Sequence, residues 1–222
     1  MSKEASELYS PDFFRGQMDR SERAARVVAP ILIEIFRPAS VVDVGCGVGG
    51  WLAVFRENGV ERVLGVDGDY VDTSLLRIPL DAFRAADLSK PFRGDRHDVA
   101  LSLEVGEHLP ETAADTLVET LCELSDVVVF SAAVPGQGGT GHVTERWQSW
   151  WAAKFAERGY AAYDVVRPAV FGDERVPYYY RQNCLAYCAE GAAPPEIAAA
   201  RVAGAYALDR VDPLAFTRRA ER

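Results

Sequence analysis

Three aspartates stand where a ligand's polar groups could be held. Asp43, Asp67 and Asp87 each lie in or just after an apolar run, and the first is followed by the glycine turn Gly45-Cys46-Gly47-Val48-Gly49-Gly50. Val41-Val42-Asp43-Val44 has the β-branched character of a buried strand. The glycines let the backbone turn and approach a ligand closely, and the helix that follows opens with free N–H groups. Gly45, Gly47 and Gly50 fit the spacing G-x-G-x-x-G, while Gly45, Gly47 and Gly49 fit the looser acid-x-G-x-G-x-G. Asp43 decides between them, because a carboxylate there repels a pyrophosphate but suits a ligand carrying an ammonium and a sulfonium, such as S-adenosylmethionine. Val63-Leu64-Gly65-Val66-Asp67 puts a second carboxylate roughly 20 residues beyond the glycines, where it can accept from both ribose hydroxyls. Asp87-Leu88 then offers an acceptor for an adenine amino group and an apolar cover for its ring. The cofactor-side candidates are therefore Asp43, Gly45, Gly47, Gly49, Trp51, Asp67, Asp87 and Leu88. Asp43 disfavours a nicotinamide dinucleotide, and the glycines lack the Lys-Ser/Thr that a P-loop needs.

Proton transfer needs a group titrating near neutrality, and the chain holds three histidines. His97 begins an apolar run and reads as structural. His142 closes the stretch Pro135-Gly136-Gln137-Gly138-Gly139-Thr140-Gly141-His142, which has no regular periodicity and is expected to be a mobile loop on the ligand side of a sheet. It is the first candidate for a general base, with Glu107 or Glu145 as orienting partner, and His108 is the second catalytic candidate. Contacts to an acceptor are placed at Phe14, Gln17, Gln137, Trp147 and Tyr180. A stripe of Trp147, Trp151 and Phe155 also fits a helix packed into the core. No metal is expected, since a single His142-x-x-Glu145 step supplies too few ligands.

The elements that must position these residues alternate. A polar stretch with Tyr9, Phe13 and Phe14 reads as an arm, and a helix follows from Ser21, with Pro30 kinking or dividing it. Strands are expected at 41–44, 63–67, 83–86, 97–103, 127–131, 160–166 and within 178–188, with an Ala-rich helix from Pro194-Pro195 to about Ala207. That alternation defines an α/β class. With 222 residues, 49% of them hydrophobic, one domain is expected: an N-terminal arm and helix over 1–38, a core over 39–190, and a C-terminal helix and tail over 191–222. The formal charge of −9 argues against nucleic acid or an anionic membrane as partner and leaves a small molecule. The first residues carry no apolar targeting segment and no run reaches a bilayer span, so a cytoplasmic location is expected. Of the four cysteines, Cys184 and Cys188 on one strand would lie about 13 Å apart, beyond the roughly 7 Å a disulfide allows, so reduced thiols are expected.

The order Asp43-x-Gly-x-Gly-x-Gly, Asp67, Asp87-Leu88 and Leu103-Glu104 resembles the class I S-adenosylmethionine-dependent methyltransferases over residues 41 to 188. The resemblance implies a Rossmann-like sheet of seven strands flanked by helices, in the order 3-2-1-4-5-7-6 with the seventh antiparallel. It also implies S-adenosylmethionine as cofactor, S-adenosylhomocysteine as product, and Glu104 near the cofactor's methionine end. Leu103-Glu104-Val105-Gly106-Glu107-His108-Leu109-Pro110 is similar to the segment after the fourth strand in small-molecule members. The run from Gly136 to Trp147, with Tyr180-Arg181-Gln182-Asn183, resembles a bacterial subgroup with members in natural-product, including antibiotic, biosynthesis. The implied activity is methylation of a small-molecule acceptor in secondary metabolism, with oxygen the favoured atom. Nitrogen or carbon methylation, and S-adenosylmethionine binding without catalysis, remain alternatives. No oligomeric state is implied.

Overall fold

Strand β1 (Ser40–Val44) is buried at every position, as a β-branched run requires when layers cover both faces of a sheet. In this computed structural model, which describes the backbone of residues 11–220 and the side chains from Arg20 on except Leu214 and 218–220, both layers are helical. Val41 packs with helices α1 (Pro11–Phe36) and α2 (Gly50–Glu57), against Leu32, Leu52 and Phe55, while Val42 and Val44 face the opposite layer. Strand β4 (Val99–Leu103) repeats this alternation, with Leu101 on the first face and Ala100 on the second. The second layer comes from α3 (Ala114–Leu124), through Leu117 and Leu121, and α4 (Gln148–Ala156), through Trp151 and Phe155.

β1 lies between β2 (Arg62–Asp67) and β4, parallel to both, with Asp43 in register with Gly65 and Leu101. β3 (Phe83–Ala85) continues the parallel sheet beyond β2, and β5 (Val127–Ser131) continues it beyond β4. β7 (Leu185–Ala189) runs antiparallel to β5 and to β6 (Tyr160–Tyr163). The expected order is present with one strand added: the sheet has eight, in the order 3-2-1-4-5-7-6-8, the last being β8 (Arg201–Val202), antiparallel to β6. Because the chain reverses direction of travel across the sheet between β1 and β4, the C-terminal ends of β1, β2 and β4 face one crevice. Among the described residues no helix is long and apolar enough to cross a membrane, and all four cysteines are free thiols.

Several expected boundaries move. α1 begins at Pro11 and continues past Pro30 to Phe36, so the stretch read as an arm is helical from residue 11. Tyr9 of that arm, and the side chains of Phe14 and Gln17 expected at the acceptor, lie outside the described residues. After a short α5 (Arg167–Val170), residues 178–183 form helix α6 (Tyr178–Asn183) instead of entering the seventh strand. The Pro177 carbonyl accepts the N–H groups of Tyr180 and Arg181 at 3.1 and 3.3 Å and opens that turn, overriding the strand propensity of three tyrosines. β6 ends at Tyr163, short of the expected residue 166, and the Asp164 N–H still donates to the Ala200 carbonyl at 2.8 Å, in register with the β6–β8 pairing. The Ala-rich segment forms a 3-10 turn over Pro195–Ala200, then β8, α7 (Ala205–Leu208) and α8 (Pro213–Ala220). Pairing with the sheet edge outweighs alanine's helix propensity there.

Candidate active site

A cleft of about 670 Å³ opens at the carboxyl ends of the strands. Asp43, Gly45, Gly47, Trp51, Asp67, Asp87, Leu88 and Glu104 line it, so the strand-end acids are brought together. Gly49 does not; it sits at the start of α2 with its Cα facing Ile78. Gly45 has φ +92°, and a Cβ on it would stand 2.2 Å from Val105 Cγ2, so both conformation and space demand glycine.

Asp67 ties the two glycine-side turns together. Its Oδ2 accepts the Gly47 N–H at 2.6 Å, and Oδ1 accepts the Gly68 N–H at 2.6 Å and the Tyr70 hydroxyl at 2.5 Å. Burial raises its pKa, and these hydrogen bonds oppose the rise. Asp43 is 2% exposed, and burial, with the charge of Asp67 adding to it, pushes its carboxyl up to about 8. Asp87 is exposed, and hydrogen bonds from Ser89 and Lys90 hold it down at about 2. Among the described residues no lysine or arginine lines the cleft. The acidic groups of its lining are Asp43, Asp67, Asp69, Asp87 and Glu104.

Glu104 ends β4 with φ +57°, a conformation rare outside glycine and held here by its N–H donating to the Ser131 carbonyl at 2.9 Å and hydroxyl at 3.1 Å. Its carboxylate accepts Gln137 Nε2 at 2.9 Å and Asn183 Nδ2 at 3.1 Å. Burial raises the Glu104 pKa, against the pull of Asn183, Gln137 and Ser131. Gln137, expected to contact the acceptor, is instead buried and spent in this network: its Oε1 accepts Asn183 Nδ2 at 2.9 Å and Gln182 Nε2 at 3.1 Å. Gln182 in turn accepts the Asp212 N–H at 2.8 Å. These bonds give the Arg181-Gln182-Asn183 run its place in the structure. Tyr180 does line the cleft, edge-on to Trp51 at 5.3 Å with its hydroxyl 3.3 Å from Ser21 Oγ. Trp147 does not: it precedes α4 and is 39% exposed, whereas Trp151 and Phe155 are core. Trp151 also lies directly beneath Gly106, where a Cβ would meet its ring at 2.7 Å.

Beyond Glu104 the chain makes a 3-10 turn over Gly106–His108. The glycine-rich segment expected to be mobile is tied to this turn: the Val143 and Thr144 N–H groups donate to the Glu107 carbonyl at 2.8 and 3.0 Å, and the Thr144 hydroxyl donates to the Leu109 carbonyl at 2.7 Å. Glu145 accepts the Gly136 and Gly138 N–H groups at 2.7 and 2.5 Å and bonds His142 Nδ1 at 3.0 Å. Of the two orienting partners proposed for His142, Glu145 holds the ring. Burial opposes ionisation of Glu145, but His142 and the two amides outweigh it and keep its pKa low. The rings of His142 and His108 meet edge-on at 4.9 Å. Burial, then the neighbouring His142, pushes His108 down to about 4, so it is neutral near pH 7. Glu107 is fully buried, neither carboxyl oxygen makes a hydrogen bond of ordinary length and angle, and burial with the charge of Glu104 drives its pKa far up against a weaker pull from the backbone of Glu107 and Ala133. Glu107, His108 and His142 each present a ligand atom, all within 4.8 Å of one another. The His142-x-x-Glu145 step alone supplies too few ligands, and the fold instead brings His142 together with Glu107 and His108. Its sequence signal was Glu104-x-x-Glu107-His108, two acids and a histidine on one turn. Asn183 and Ser131, which position Glu104, had no signal that spacing alone could give. His97 is buried with Nδ1 2.9 Å from the Asp95 carbonyl, as a structural histidine should be.

A family described as a methyltransferase domain matches residues 14–165, well over half of the 222-residue chain. The chain belongs to the methyltransferase family. Among solved structures it resembles an O-methyltransferase family protein from Burkholderia thailandensis, at 13% identity and a TM-score of 0.58, covering 80% of this chain and 57% of that one. It also resembles magnesium protoporphyrin IX methyltransferase from Synechocystis PCC 6803 with bound S-adenosylmethionine, at 18% identity and a TM-score of 0.55, covering 82% of this chain and 86% of that one. At these identities the likeness is one of fold. The chain spans little more than half the length of the Burkholderia protein. No curated protein matches it.

Proposed function

We propose that this chain binds S-adenosylmethionine in the acidic cleft and methylates an oxygen of a small-molecule acceptor, of secondary-metabolite type, placed toward His108 and His142. The observation that carries the reading is a cleft lined by Asp43, Asp67, Asp87 and Glu104 with no lysine or arginine among its described residues. A pyrophosphate would find no countercharge there, whereas an ammonium and a sulfonium supply what the carboxylates lack. Asp43, Gly45 and Gly47, with Glu104, serve the methionine part, Asp67 the ribose, and Asp87 with Leu88 the adenine. Trp51 and Tyr180 form the apolar wall.

The cofactor supplies a methyl group already activated by its sulfonium. The chain's own tasks are then alignment, exclusion of water and handling of the acceptor's proton. Glu145 fixes His142 through Nδ1, which leaves the other ring nitrogen for the acceptor side, and His108 stands beside it neutral. A hydroxyl, which must lose a proton, gives these imidazoles a use that noncatalytic binding would not. Calorimetry with S-adenosylmethionine, S-adenosylhomocysteine and NADH, followed by incubation of labelled S-adenosylmethionine with hydroxylated small molecules, tests the reading. Binding of the first two and labelled methyl ether product are expected. Binding of NADH without S-adenosylmethionine would overturn it.

A further inference from the structure

Glu107 is 0% exposed, and neither of its carboxyl oxygens makes a hydrogen bond of ordinary length and angle, the backbone of Glu107 and Ala133 and the Glu104 carboxyl acting on it only more weakly. A buried carboxyl left in that state is costly, so the fold must return something for keeping it. Beside it, His108 Nδ1 is also buried without a hydrogen bond, and His142 completes a set whose ligand atoms all lie within 4.8 Å. We propose that Glu107, His108 and His142 bind a divalent cation of the first transition row, such as Mn²⁺ or Zn²⁺, and that this cation holds the acceptor's hydroxyl oxygen at the end of the cleft.

Two ligands on one such ion lie at most about 4.4 Å apart, so the set closes on a cation with small side-chain shifts. One carboxylate and two imidazoles suit Mn²⁺, Fe²⁺, Co²⁺ or Zn²⁺ better than Ca²⁺, which takes oxygen ligands. The Glu145 carboxylate at 3.0 Å from His142 Nδ1 is the arrangement that fixes the tautomer of a metal-binding imidazole and leaves the Nε2 lone pair for the ion. The charge of Glu104 bears on the Glu107 carboxyl, which adds a second acid to the ion's surroundings. Three protein ligands leave coordination positions open. Because His108 and Glu104 also line the cleft, those positions lie on its side of the cluster, where the acceptor enters. A hydroxyl bound there loses its proton to solvent, the cation balancing the charge left on oxygen. His142 is then a ligand and not the base.

The acceptor part of this proposal rests on the methyl-transfer reading, and the cation part does not. Co²⁺ titration followed by its visible spectrum, and Mn²⁺ titration followed by electron paramagnetic resonance, are run on the full chain without cofactor. One equivalent of each should bind to the wild type. Glu107→Gln and His142→Gln should each weaken that binding at least about tenfold, while calorimetry with S-adenosylmethionine, which also reports folding, stays unchanged. Absence of binding to the wild type at millimolar cation, or equal binding in both folded variants, overturns the site. Chelation should stop hydroxyl methylation and Mn²⁺ should restore it; full turnover after chelation overturns the cation's role toward the acceptor. A wild type that binds Co²⁺ but not S-adenosylmethionine keeps the site and discards the methyl-transfer reading.

Discussion

The carboxylate of Glu145 joins His142 to the loop that carries it: Oε1 lies 3.0 Å from Nδ1 of the ring, and the two oxygens accept the Gly136 and Gly138 N–H groups at 2.7 and 2.5 Å. One acid sets both the loop's path and the ring's orientation. Glu145→Gln keeps an acceptor oxygen but loses the charge and one acceptor position. Turnover should fall about 10- to 100-fold, as when a group that orients a reactive imidazole is changed. Affinity for S-adenosylmethionine should stay the same, because Glu145 does not line the cleft. Steady-state rates alongside calorimetry check this, and a parallel loss of cofactor affinity would show that Glu145 acts on the whole fold.

Asp43 makes a pH-dependent prediction. Its carboxyl lies at about 8 in the folded chain against 3.8 for the free side chain, so the folded state holds the proton more tightly. That contribution to stability is complete below about pH 4 and is lost as pH rises through 8. A cationic ligand favours the carboxylate, so binding of S-adenosylmethionine at pH 7 should release most of a proton from Asp43. Calorimetry in buffers of different ionisation enthalpy measures it. Asp43→Asn should abolish the release, weaken binding, and raise the melting temperature above pH 8. An unchanged proton count in the variant would assign the release elsewhere.

The acids of the cleft were legible because each belongs to a local pattern. Asp43, Asp67 and the Asp87-Leu88 pair follow apolar runs, and a parallel sheet delivers such strand ends to one crevice. What escaped depends on partners distant in sequence. α6 exists because Gln182 and Asn183 find Asp212, Gln137 and Glu104, and β8 exists because β6 offers an open edge. Gln137 was placed at the acceptor by its position in the loop, yet its amide is consumed by Glu104 and α6. The burial of Glu107 follows from the glycine-rich segment folding back on its carbonyl, which the spacing of that segment did not foretell.

Asp67 is buried and already accepts three donors, two of them backbone N–H groups, so its removal has two consequences. Asp67→Ala deletes the ribose acceptor and leaves the Gly47 N–H, on the turn that faces the ligand, without a partner. A hydrogen bond to a charged group is worth about 1.5–3 kcal/mol, so affinity for S-adenosylmethionine should drop by roughly one to two orders of magnitude. Undiminished affinity in a folded Asp67→Ala protein, read by calorimetry, would remove Asp67 from the cofactor site.

Gly139 tests the imidazole cluster from a residue that is not itself one of the three ligands. A Cβ at this position would stand 2.2 Å from His142 Nε2, far inside contact distance, so Gly139→Ala forces either the loop or the ring to move. The ring has little room, since Glu145 holds Nδ1 and His108 packs edge-on at 4.9 Å. Overpacking of this kind costs about 1–3 kcal/mol, which should appear as a modest fall in melting temperature. Gly139 is not part of the cleft lining, so calorimetry should find cofactor affinity unchanged. Turnover and Co²⁺ affinity should both fall, because each needs His142 in place. If the damage passes through that ring, adding Gly139→Ala to His142→Gln should cost nothing further, and the double-mutant cycle should close with a coupling equal to the single Gly139 effect. Additive losses in the double variant would mean that Gly139 shapes the loop for some purpose other than seating His142.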